Sequence, residues 1–125
     1  MYENVFIAGC LAILLGIVHS ILGEVLIFRK MRVSGLIPTD GGTMLKERQV
    51  RILWASWHLV TLFGWAIGII LCGTSSVESV VFSVFVINTI SLFTLSGAAL
   101  VLIATKGKHP GWLVLLVISL LCWLG

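Results

Sequence analysis

Four apolar stretches constrain this chain before anything else does. They run from about Val5 to Phe28, Ile52 to Cys72, Val77 to Ala104 and Pro110 to Leu124. Hydrocarbon about 30 Å thick is crossed by roughly 20 helical residues rising about 1.5 Å each. The first three stretches reach that length, and the fourth is shorter, with Pro110 at a first-turn position where its missing N–H costs nothing. Helices satisfy their backbone polar groups internally, as lipid requires, whereas a barrel would show alternating residues and these runs are continuous. The expected fold is therefore all-α: an integral membrane four-helix bundle with antiparallel up-down connections, forming a single domain over residues 1–125.

Composition agrees. Of 125 residues, 59% are hydrophobic and 10% charged, against about 25% charged in ordinary soluble domains. So few charges could not cover a water-soluble fold of this size, and disorder needs the opposite balance. The first residues, Met1 to Asn4, lack the basic segment of a secretory signal, so the first stretch reads as a retained span.

The cations set the expected orientation. Arg29, Lys30, Arg32, Lys46, Arg48 and Arg51 lie in or beside the first connection, and Lys106 and Lys108 lie in the third. Positive charge favours the cytoplasmic side, which places both termini outside. The net charge of +3 then reports topology and attraction to anionic lipid, with no need of nucleic acid as a partner. In the long connection, residues 29–51, Pro38 and Thr39-Asp40-Gly41-Gly42 mark turns, and Thr43 is the expected N-cap of the second helix, with Glu47 in an early turn.

Where all faces are apolar, small and polar residues show which side meets another helix. At 100° per residue Gly9, Ala12, Gly16, His19, Ser20 and Gly23 form one stripe on the first helix. Trp54, Trp57, His58, Thr61, Gly64, Trp65, Gly68 and Cys72 form one on the second, and the two stripes are expected to face each other. The glycines would permit close backbone approach or leave room for a flat ligand. The third helix carries Asn88, Ser91, Thr94 and Ala98 on one side and Thr89, Ser96 and Gly97 elsewhere. Polar residues on two faces suggest a homo-oligomer or a larger membrane complex.

Depth picks out the candidate site. Counted inward from Arg29, Glu24 lies about 7 Å deep and His19 about 15 Å deep, while His58, counted from Arg51, lies about 10 Å deep. Two imidazoles and a carboxylate thus converge, with Arg51 and Arg48 at the mouth, His109 as a further cap, and Trp54 and Trp57 beside His58. Ionisable side chains at such depth are costly and point to function. Three readings follow. His19 and His58 could ligate a transition metal, or both axial positions of a haem whose propionates meet Arg51, with Glu24, Trp54 and Trp57 completing a cofactor pocket. The same His and Glu could relay protons that drive a small solute across the membrane. Or the polar cluster could only specify helix pairing in an accessory or assembly subunit. His19 and Glu24 stand some 140° apart around their helix, which favours a bis-histidine arrangement over a three-ligand site.

Trp112 and Trp123 near the ends of the fourth helix suit an aromatic belt. Cys10, Cys72 and Cys122 have no CxxC spacing and serve as apolar filler, with a Cys72–Cys122 disulfide open at the oxidising face. No nucleophile elbow, phosphate loop, HExxH or dinucleotide turn occurs, which leans away from an enzyme.

Taken together, His19-Ser20-Ile21-Leu22-Gly23-Glu24, Trp57-His58-Leu59 and His109-Pro110-Gly111-Trp112 resemble an HSxLGE, WH, HPGW pattern. Small uncharacterised bacterial four-span membrane proteins share it. The resemblance implies a bacterial inner-membrane location and brings no activity, ligand or partner.

Overall fold

The computed structural model describes residues 3–75, 79–104, 107 and 110–125. Among them it is all-helical: α1 Glu3–Leu26, α2 Glu47–Thr74, α3 Val80–Ala104 and α4 Gly111–Leu124. Three of the four, α1, α2 and α3, are long and apolar enough to cross a membrane. α4 is apolar but has 14 residues, about 21 Å at the helical rise against the roughly 30 Å of hydrocarbon. Bulky apolar side chains point away from the protein, among them Phe82, Phe85, Phe93 and Ile69. In water such an exterior would aggregate; against acyl chains it costs nothing.

The described chain packs as two compact units, Gly16–Phe63 being one and the remainder the other. The larger unit has a core of small and branched side chains: Val5, Ala8 and Ala12 of α1, Leu71 of α2, Ile87 and Ile90 of α3, and Ile118 and Cys122 of α4. Within it α1 and α2 meet almost backbone to backbone. A Cβ added to Gly9 would stand 2.7 Å from the Gly68 carbonyl oxygen, and one added to Gly68 would stand 2.8 Å from that of Gly9. Small residues permit this approach, which supplies the dispersion contacts that hold helices together in lipid. Trp65 reaches over the same seam to donate to the Ile13 carbonyl at 3.2 Å. α3 and α4 are joined by a reciprocal serine pair, in which Ser91 Oγ donates to the Ser119 carbonyl at 3.1 Å and Ser119 Oγ to the Ser91 carbonyl at 2.9 Å.

On the other side of α3, Thr89 and Ser96 donate back to the carbonyls of Phe85 and Leu92, at 2.8 and 2.9 Å. Each hydroxyl is therefore satisfied inside its own helix. Polar residues on a second face of α3 do not require a partner chain.

In the smaller unit, α1 stops at Leu26, two residues short of the expected Phe28, and the chain tightens into a 3-10 turn at Phe28–Met31. The backbone then doubles back, with both Thr39 and Asp40 donating to the Met31 carbonyl at 3.0 and 2.9 Å. Gly35 and Gly42 take positive φ, 78° and 63°, in the left-handed region that side chains resist. Asp40 Oδ1 accepts the Gly42 N–H at 2.9 Å, an Asx turn that keeps Thr43 out of the helix. α2 consequently begins at Glu47, and the N-cap expected at Thr43 falls instead at Lys46. There Gln49 Oε1 accepts the Lys46 N–H at 2.9 Å, half of a capping box.

Candidate functional site

The stripes on α1 and α2 do face each other in the smaller unit, and Trp57 fixes how closely. Its indole lies over Gly23, where any Cβ would overlap the ring. From there its Nε1 donates to the His19 carbonyl at 2.9 Å. His19 returns the bond, its Nε2 lying 3.2 Å from the Trp57 carbonyl, which can only accept. The two rings stack with centroids 4.3 Å apart and planes 6° from parallel. The space that Gly23 leaves is thus filled by the protein's own indole.

One turn away, Glu24 Oε1 accepts from two α2 donors: Trp54 Nε1 at 2.7 Å and His58 Nε2 at 2.8 Å. Its Oε2 meets Arg32 Nη1 at 2.5 Å. Arg32 is in turn held by its own Nε, which donates to the Leu36 carbonyl at 2.6 Å. Hydrogen bonding to the carboxylate pushes the guanidinium pKa above its ordinary value, so Arg32 stays charged. The far nitrogen of the imidazole, His58 Nδ1, lies 2.8 Å from Ser20 Oγ, and Ser20 Oγ lies 2.7 Å from Thr61 Oγ1.

These contacts allow one consistent direction of donation. A carboxylate paired with arginine has no proton to give, so His58 Nε2 donates to it. In the neutral ring Nδ1 then accepts from the Ser20 hydroxyl, and Ser20 accepts from Thr61. The result is one oriented chain, Thr61 to Ser20 to His58 to Glu24, with Arg32 as the counter-ion at its end. Phe28 of the 3-10 turn, buried at 3% exposure, closes over it, 6.0 Å edge-on from Trp57 and 6.2 Å from His58 between ring centroids. Trp54 presents an edge to His58 at 4.9 Å. Side-chain exposures are 25% at His58 and 30% at Glu24.

Of the residues expected at a site, Glu24, His58 and Trp54 come together directly, and His19 and Trp57 form the neighbouring stacked pair. Arg51 does not join them. It lies exposed on α2 and pairs along its own helix with Glu47, Nε to Oε1 2.9 Å. Its place is taken by Arg32, which depth counting left in the loop and which the 3-10 turn carries back to the carboxylate. Ser20 and Thr61, expected only as stripe residues, prove to be links of the chain. His109, Lys106 and Lys108 lie outside the described residues. Among the described residues no group of three or more His, Cys, Asp and Glu side chains stands at metal-holding spacing. Comparison with protein-family models, with curated proteins and with solved structures gives no match for this chain.

Proposed function

We propose that this protein moves protons through the α1–α2 pair and couples them to the passage of a small solute. The observation that carries the reading is the unbroken chain from Thr61 through Ser20 and His58 to Glu24, with links of 2.7 to 2.8 Å. Imidazole is the one side chain that gains and loses a proton near neutral pH. Here it bridges a hydroxyl pair to a carboxylate. A proton arriving at Ser20 passes to His58 Nδ1, and the Nε2 proton moves on to Glu24 when its ion pair with Arg32 opens toward the basic connection. In this reading the first connection faces the cytoplasm of a bacterial inner membrane, both termini face out, and the four apolar helices form the bundle. Assembly into a homo-oligomer or a larger membrane complex is not required by it.

The alternative, in which His19 and His58 hold a transition metal or both axial positions of a haem, fits the donor set less well. Both ring nitrogens of His58 and Nε2 of His19 already face protein partners, and a metal would have to displace them. A Soret band, or stoichiometric Fe, Cu or Zn in the purified protein, would put that reading in place of the relay.

The direct test imposes a pH gradient on proteoliposomes loaded with a pH-sensitive dye. Wild-type protein is expected to dissipate the gradient faster than protein-free vesicles, and Glu24→Gln and His58→Gln to fall to the protein-free rate. Tryptophan fluorescence establishes that the variants are folded. A wild-type rate equal to that of empty vesicles, or unchanged flux in folded Glu24→Gln, refutes the proposal. The second result would favour a subunit whose polar cluster only pairs helices.

A further inference from the structure

We propose that Cys10 and Cys72 form a redox-responsive dithiol that closes to a disulfide and staples α1 to α2. The pair lies in the larger unit, apart from the proton chain, and does not depend on it. Its basis is the close approach at Gly9. A Cβ on Gly9 would stand 2.6 Å from Cys72 Sγ and 3.0 Å from the Cys72 backbone nitrogen, so the α2 thiol lies directly on the α1 backbone beside Cys10. Cys72 Sγ is also 3.9 Å from the Phe6 carbonyl, the acceptor one turn before Cys10 on the same helix. Cys10 is exposed and Cys72 half-buried, whereas Cys122 is buried among the core side chains of that unit.

Geometry and access therefore select this pair over Cys72–Cys122. A disulfide needs Cβ atoms roughly 3.5–4.5 Å apart, a separation that helices in backbone contact provide and that ordinary packing, about 8–10 Å between axes, makes rare. Both residues lie toward the helix ends remote from the basic connection. In the orientation proposed above that is the outer, oxidising side.

The step is ordinary thiol–disulfide exchange with a disulfide oxidant. One thiolate attacks a sulfur of the oxidant and expels a thiolate, leaving a mixed disulfide. The second cysteine then attacks the protein sulfur of that mixed disulfide and expels the second thiolate. Two S–H bonds are lost and one S–S bond forms. The oxidant takes up the two electrons and, with the two protons released, becomes two thiols.

The experiment uses the full chain in lipid nanodiscs equilibrated with glutathione disulfide, followed by trapping of free thiols with a maleimide, digestion and mass spectrometry. The expected product is one intramolecular Cys10–Cys72 peptide, with Cys122 recovered as the maleimide adduct. Excess dithiothreitol should reverse it, Cys10→Ser or Cys72→Ser should abolish it, and Cys122→Ser should leave it intact. The wild-type map decides the question even if a variant fails to fold. A Cys72–Cys122 peptide, a Cys10–Cys10 link between chains, a glutathione adduct that never closes, or three free thiols overturns the proposal. Any of these outcomes leaves the proton-flux measurement untouched, so the two readings fail separately.

Discussion

Gly23→Ala tests the idea that the α1–α2 pair in the smaller unit is set by one indole. The added methyl would occupy space held by the Trp57 ring, within 2.6 Å of Cε2 and 2.7 Å of Cδ1. A flexible side chain would swing aside, but Trp57 is pinned by its bond to the His19 carbonyl, its stack on His19 and the edge contact from Phe28. Overpacking of this kind costs about 1–3 kcal/mol, and loss of the indole hydrogen bond adds about 1 kcal/mol. The sum is about 2–4 kcal/mol, or about 30- to 700-fold in the unfolding equilibrium. Gly64→Ala supplies the contrast, because no atom lies within 4 Å of its added Cβ. There alanine's helix preference should leave stability unchanged or raise it by up to about 1 kcal/mol. Equilibrium unfolding by SDS in mixed micelles, followed by tryptophan fluorescence, reads both. A Gly23→Ala midpoint equal to wild type, or equal losses at the two glycines, would refute the argument that close packing on Trp57 rather than glycine itself matters.

Further outcomes follow from the same contacts. Ser91→Ala and Ser119→Ala should each destabilise by about 0.6 kcal/mol and at most about 1.7. The double variant should cost less than the sum, since the two hydroxyls share their bonds; strict additivity in the SDS titration would count against the reciprocal pair. Arg32→Gln should slow proton flux or shift its pH profile, because Glu24 loses its counter-ion. Arg51→Gln should do neither, its pair with Glu47 being exposed and along one helix. Equal responses from the two arginines would restore Arg51 to the site.

The apolar runs by themselves determined the class of this protein, because only helices of that length and composition suit lipid, and α1, α2 and α3 match them within a few residues. Their small and polar stripes also determined which sides of α1 and α2 meet, since 100° per residue is a property of the helix and not of its surroundings. His58 lies level with Glu24 and Ser20 for the same reason: rise per residue converts sequence distance into depth. The start of α2 was not legible, because an Asx turn at Asp40 and a side-chain cap from Gln49 move it past Thr43. Nor was the choice of Arg32 over Arg51. A cation in a connection has no period to betray its position, and only the 3-10 turn with the fold-back onto Met31 carries it to the carboxylate. Periodicity also left open what fills the room a glycine makes. At Gly23 it is an indole, at Gly9 and Gly68 another backbone, and that difference is decided by the neighbouring helix, which the chain acquires only when it packs.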